Sequence, residues 1–266
     1  MLKLFTVFLT FVVTLSPTTT QSQVFPALGS SESPFGTDAH VAVSAYRGMV
    51  EEHAEGIVRA LRIIAGTDEA RSGNWEEIKP LLNTLSSSLE TDATAWFVLP
   101  DGKYHATETE DTATLTLKDR AYFPTLMAGK EIFGDLVVSK ATGHRSVIIA
   151  APIQRDGKTI GGVGVSLRVR LLSKLVMEHM PLADDSYFYA LERDTRISLH
   201  QMAERMFKTP TDVGDEALGE QFKKALQQDK GTIEYTLNGK NMVALYEFSP
   251  VLGWYFFIAK ERDTTS

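Results

Sequence analysis

Apolar residues recur at spacings of three and four in the first third of the chain: Val43, Tyr46, Val50, Ala54, Ile57, Leu61 and Ile64. That period gathers them into one stripe along a long amphipathic helix. Asp38 stands at the N-cap position and Gly66 ends the run. A second helix is predicted from Asn74, whose side chain caps while Glu77 completes a capping box, with Ile78, Leu82, Leu85 and Leu89 on its apolar face. Pro80 falls in its early turns, where it is placed to bend the helix.

From Thr94 the helical period gives way to short β-rich runs broken by turn signals. "TAWFVL" leads through Asp101-Gly102 into "YHAT", and "RSVIIAAPI" and "TIGGVGVSLRV" flank Asp156-Gly157, which predicts two hairpins. "RLLSKLVMEHM" reads as a connecting helix. Then come "SYFYALE", "ERDTRISLH", a helical "DEALGEQFKKALQQ", and strands around Asn238-Gly239 that close with "GWYFFIAKE". The second half repeats the first in layout, not in residue identity. The fold class is α+β: one long helix followed by two strand-helix-hairpin modules.

With 43% apolar residues the chain can build a core, and 266 residues allow one large domain or two small ones. A formal charge of −7 and the lack of a basic stripe argue against a nucleic-acid partner. The chain opens with one Lys, an apolar run from Leu4 to Leu15, and small polar residues, which is the layout of a secretory signal. The run is shorter than the ~20 residues that span a bilayer. Cleavage near Gln23 is expected, with an uncleaved membrane anchor as the alternative. Without cysteine, an exported chain has neither disulfides nor a lipidation site, so the periplasm or the bacterial surface is the expected location. The expected divisions are a signal peptide (1–23), a Ser/Pro/Gly-rich linker (24–37), a helical region (38–92), a first module (93–170), a connecting helix (171–184), a second module (185–262) and a tail (263–266).

The segment "KDRAYFPTLMAGKEIFGDLVVSKATGHRSVIIAAPIQRDGKTIGGVGVSL" holds an Asp-Arg-x-Tyr-Phe helix start, a Thr-Gly before a strand, a strand ending in Ala-Pro-Ile, a Gly-Lys hairpin and a Gly-rich last strand. The second module closes on a Gly-Trp strand. In this order and spacing the chain resembles the extracellular double Cache sensor family, the tandem PAS-like modules of chemoreceptors and sensor kinases, over about residues 38–262. The resemblance implies a long N-terminal helix packed on two Cache modules, each a twisted antiparallel sheet with flanking helices. It also implies a small-molecule pocket, usually in the first, membrane-distal module. Family members normally sit between two transmembrane helices ahead of a cytoplasmic signalling domain, whereas this sequence stops at Ser266. The expectation is therefore a stand-alone sensor or solute-binding protein that signals through a separate membrane-bound partner.

In the family, an Arg and aromatics at the start of that helix line the pocket, which puts Arg120 and Tyr122 first among candidates. A guanidinium offers a planar fork of donors to a carboxylate, and helix-start N–H groups favour the same anionic end. A purely structural reading stays open beside it: Asp119 as N-cap, Arg120 solvated, and Tyr122, Phe123 and Leu126 as a buried face. Trp96, Tyr104 and His105 on the first hairpin are either lining or core filler, Phe133 and Asp135 lie in the loop before the Thr-Gly as a pocket lid, and Arg145 is expected to be exposed. The family's amino-acid-binding subgroup follows the Arg with x-Trp-Tyr and carries an Asp on the last strand for the ligand's ammonium. Here the aromatics are Tyr122 and Phe123, and the last-strand position is Ser166. That disfavours an α-amino acid and leaves a carboxylate or another small polar metabolite open. The candidate ligand-binding set is Arg120, Tyr122, Asp119, Tyr104, Trp96, Phe133, Asp135 and Ser166. Tyr187, Tyr189 and His200 stand where a second-module pocket would be lined, but are not part of that set.

The six histidines show no metal spacing such as H-E-x-x-H, and Ser166 lies in Val-Gly-Val-Ser-Leu rather than G-x-S-x-G. "GGVG" closes a hairpin and lacks the G-x-G-x-x-G spacing of a nucleotide loop. No catalytic residue, metal or cofactor is expected. The alternative to a sensor is a non-catalytic interaction module in which the first-helix stripe pairs two chains as a parallel homodimer. A periplasmic enzyme comes third.

Overall fold

The computed structural model describes residues 38–262 apart from 90, 92, 109–114 and 141. The expected signal peptide, linker and tail lie outside the described residues. Among the described residues, no helix is long and apolar enough to cross a membrane.

Helix α1 runs Ala39–Ala65, and Asp38 caps it by accepting from the His40 N–H at 2.7 Å. Val43, Tyr46, Val50, Ala54, Ile57 and Leu61 are buried as their spacing requires, and Val58 and Ala65 join them. At about 1.5 Å per residue the helix is roughly 40 Å long, enough to lie across two sheets. Its first half packs on the second sheet, where Tyr46 sits edge-on to Phe188 and Phe256 and Arg47 reaches Glu247 at 3.3 Å. Farther along, Arg62 forks onto Glu131 at 2.8 and 3.0 Å. The stripe packs within its own chain, against the inner faces of both sheets.

Two shorter helices follow, α2 (Asp68–Ser72) and α3 (Trp75–Ser88). Asn74 caps α3 by accepting from the Glu76 N–H at 3.2 Å, but the predicted box does not close. The Asn74 N–H donates to Ser72 Oγ instead, and Glu77 is held by the Asn74 side-chain amide.

The first sheet holds β1 (Ala93–Val98), β2 (Tyr104–Ala106), β3 (Ile132–Val138), β4 (Arg145–Arg155) and β5 (Lys158–Arg168), with the short helix α4 (Phe123–Met127) between β2 and β3. Its order is β2-β1-β5-β4-β3, antiparallel throughout. Helix α5 (Val169–His179) leads to the second sheet: β6 (Ser186–Glu192), β7 (Ile197–His200), β8 (Lys230–Leu237), β9 (Lys240–Ser249) and β10 (Trp254–Glu261). A 3₁₀ turn (Ala203–Arg205), α6 (Pro210–Val213) and α7 (Glu216–Ala225) fill the interval between β7 and β8. The second order, β7-β6-β10-β9-β8, is the first one shifted by five strands, so the repeat of layout is a repeat of topology. Asp156 and Gly157, like Asn238 and Gly239, both take positive φ, as a two-residue type I′ hairpin demands.

Strand alternation gives each sheet two buried faces. Ala93, Ala95 and Phe97 join the core beneath α1, while Trp96 and Val98 belong to a separate cluster on the opposite face. In the second module Phe188 and Ala190 face the helix, and Tyr189 and Leu191 face away. Each module is thus a helix, a sheet and an outer layer, and both outer layers lie on the side away from α1.

One expectation needs correction. Phe133 and Asp135 stand on β3 rather than in a loop, because a bulge at Gly134 breaks the alternation that would have marked the strand. The Gly134 carbonyl accepts from Trp254 Nε1 at 3.0 Å and joins the two modules. Arg145 is exposed, as expected, and its Nη1 donates to the Met206 carbonyl at 3.0 Å while its guanidinium lies 5.4 Å from the Phe207 ring centroid.

Candidate functional site

Each outer layer encloses a cavity. In the first module it lies over β1, β2, β4 and β5, beneath the segment that precedes α4. Trp96 pairs with Gly164 across β1 and β5, and a Cβ on Gly164 would fall 2.2 Å from the indole. The glycine-rich strand therefore makes room for Trp96, whose Nε1 donates to Ser166 Oγ at 3.1 Å. Arg120, Tyr122, Tyr104, Trp96 and Ser166 all line this cavity of about 20 Å³, so five of the predicted residues converge.

Arg120 anchors through Nη2, which donates to the Val138 carbonyl at 2.6 Å. Its Nε is buried with no hydrogen-bond partner among the described residues. Burial pushes the Tyr104 and Tyr122 phenols above their ordinary value, and the Arg120 charge opposes the shift in both. A second cation, Lys140, also lines the cavity; it donates to the Thr116 carbonyl at 2.7 Å and pairs with Asp119. That hydrogen bond holds the exposed Asp119 carboxyl below its usual range. No Asp or Glu is among the described residues that line it. Lys140 was not legible in the sequence, because only the return of β3 beside the α4 segment brings it there.

Asp119 is not an N-cap: Tyr122 holds that position with no side-chain bond, and α4 is five residues long. The Phe123 and Leu126 N–H groups are already committed to the Arg120 and Tyr122 carbonyls. The donors that face the cavity are side chains, not a helix end. His105 stacks on Trp75 at 5.2 Å and is not part of the lining. Phe133 and Asp135 line a different crevice, with Glu192 and Trp254 between the modules, where burial raises the Asp135 carboxyl.

The second module has a cavity at the equivalent place, lined by Tyr187, Tyr189, His200, Arg205, Phe222 and Tyr235 among others. Tyr187 and Tyr189 project from the same face of β6, and Tyr189 pairs with His200 on β7. Burial first, then the Arg205 charge, lowers the His200 pKa to about 3 from its ordinary 6.5. Across that window the unfolded chain takes up a proton that the folded chain refuses, so stability is complete above about pH 6.5 and is lost as pH falls toward 3. His200→Gln should flatten the acid limb of stability by about 1 kcal/mol per pH unit. Urea unfolding at stepped pH measures this, and an unchanged slope would refute it.

A family model for the Cache domain matches residues 36–266, which include every described residue. The chain belongs to the Cache domain family. Solved structures with the same double Cache architecture include the ligand-binding domain of the Pseudomonas aeruginosa PAO1 amino acid chemoreceptor PctB in complex with L-Arg, at 20% identity and a TM-score of 0.68, covering 84% of this chain and 94% of that one. The ligand-binding domain of the Pseudomonas fluorescens chemoreceptor CtaA, in complex with L-isoleucine, matches at 15% identity and TM-score 0.66, over 85% and 91% of the two chains. The sensory domain of the Campylobacter jejuni chemoreceptor Tlp3, with isoleucine bound, matches at 14% identity and TM-score 0.62, over 85% and 91%. A comparison with curated proteins finds no match. In this Cache chain, as its topology shows, both cavities sit on corresponding faces of duplicated sheets.

Proposed function

We propose that this Cache chain is an exported sensor that captures a small carboxylate in its first-module cavity and passes the change to a separate membrane-bound signalling partner. The observation that carries this reading is Arg120, which lines the cavity with its Nε buried and unpartnered among the described residues. A buried cationic donor without a partner is costly, and a carboxylate that accepts from it removes the penalty. Lys140 adds a second positive charge, Tyr104 and Tyr122 supply phenol hydroxyls, and Trp96 supplies an apolar wall. Of the candidate set, Arg120, Tyr122, Tyr104, Trp96 and Ser166 are assigned to contact the ligand, with Asp119 holding Lys140 in place. The similar chemoreceptor domains are solved with amino acids, which supports ligand capture as the common role. An α-ammonium, however, finds no Asp or Glu among the described lining residues, which favours a carboxylate without an amine. The reading is non-catalytic.

Thermal unfolding with a panel of organic acids, amino acids and amines tests this. A carboxylate at 100 times its dissociation constant stabilises the fold by about 2.7 kcal/mol, a shift of several degrees. Arg120→Ala should weaken that ligand by about ten- to a hundredfold, the loss of one charge-assisted pair. A hit confined to amino acids, or a carboxylate hit that survives Arg120→Ala, would sink the reading.

A further inference from the structure

The second cavity carries its own recognition chemistry, and it begins with a tautomer. His200 is 3% exposed, and its Nδ1 accepts from the Met202 N–H at 2.9 Å. A ring nitrogen that accepts carries no proton, so in the neutral imidazole the proton sits on Nε2. Nε2 faces Arg205 Nη1 at 3.4 Å, and a guanidinium has no lone pair to offer. Two donors therefore face each other, with no side-chain or backbone acceptor between them among the described residues. Because the His200 pKa is lowered to about 3, this neutral tautomer is the state at physiological pH.

The surroundings add a third donor. Tyr235 Oη lies 2.8 Å from Tyr187 Oη and 3.4 Å from Tyr189 Oη. Three phenols joined by two contacts use two of their three protons and leave one to donate elsewhere. The rest of the described wall, including Leu191, Ile197, Val213 and Phe222, is apolar, and no Asp or Glu is among the described lining residues.

We propose that the second module holds a separate site for a short-chain aliphatic monocarboxylate, its carboxylate accepted between His200 Nε2 and Arg205 Nη1 and its tail in the apolar cavity. The carboxylate supplies the acceptor that both donors lack. The cavity of about 30 Å³ has room for two or three water-sized atoms, which sets the tail at about one to three carbons. A second carboxylate would be buried against apolar wall without a partner, and an amine would find no acid to pair with. This site is independent of the Arg120 cavity, which lies in the other module.

Calorimetric titration of the full chain with propionate is the test, run beside hexanoate and succinate and read together with imidazole nitrogen NMR. Propionate should bind saturably, hexanoate and succinate at least roughly tenfold more weakly, and R205Q should lose about tenfold or more of the propionate affinity. In the wild-type chain the His200 signals should report an Nε2-protonated ring and move as propionate is added, a readout that stands even where R205Q fails to fold. Propionate affinity unchanged in R205Q, a His200 ring protonated on Nδ1, or His200 signals indifferent to saturating propionate would each overturn the site. Heat that persists in R205Q while His200 stays still would place propionate elsewhere, and so would leave the Arg120 reading standing while this one falls.

Discussion

Trp254→Ala should lower the free energy of unfolding by about 3–5 kcal/mol, the range for truncating a fully buried large aromatic. Trp254 is 1% exposed at the start of β10 and belongs to the core that runs under α1 through both modules. Its indole also donates to the Gly134 carbonyl at the β3 bulge. Removing the indole opens a cavity and strands a buried acceptor, and the second effect alone costs about 1–3 kcal/mol. Trp254→Phe separates the two: it keeps most of the volume and loses only the donor, so it should recover more than half of the deficit. Urea denaturation measures both variants. A loss under about 1 kcal/mol in Trp254→Ala would show that this contact is not what holds the modules together.

Gly134→Ala attacks the same seam from the other side and should cost about 3 kcal/mol or more, with unfolding in two steps instead of one. Gly134 has φ 84°, a conformation that costs an L-residue roughly 1–2 kcal/mol. A Cβ there would also lie 2.3 Å from the Leu252 carbonyl oxygen, a backbone atom that cannot rotate away. The turn between β9 and β10 must then move off β3, taking the Trp254 hydrogen bond with it. Circular dichroism and tryptophan fluorescence followed through the same urea series would separate module by module in this variant and coincide in the wild type. A single coincident transition near the wild-type midpoint would show that the seam tolerates the methyl.

The long helix was readable because burial of one stripe against two sheets is a one-dimensional constraint, and the residues from Val43 to Leu61 satisfy it without exception. The hairpins at Asp156-Gly157 and Asn238-Gly239 were readable because positive φ at both turn positions restricts residue choice. Strand β3 was missed for the converse reason: Gly134 inserts an unpaired residue, so Phe133 and Asp135 no longer alternate as a strand should. Arg120, Tyr122 and Ser166, the positions the family resemblance singled out, line one cavity with Tyr104 and Trp96 of the first hairpin, but Lys140 arrives through the β3–β4 connection, which local pattern does not encode. The second cavity was only half legible. Tyr187, Tyr189 and His200 sit on strands, whereas Arg205 comes from a 3₁₀ turn with no periodic signature.

Strand β4 carries Ile148 in the wall of the first cavity and, three residues earlier, Arg145, which grips the Met206 carbonyl next to Arg205. Strand β4 therefore runs from the wall of the first cavity to the turn that carries Arg205. Thermodynamics makes any such link symmetric: whatever factor an occupant of one cavity imposes on affinity at the other is returned in full. If both proposed sites bind, Arg145→Ala would weaken that factor equally in both directions.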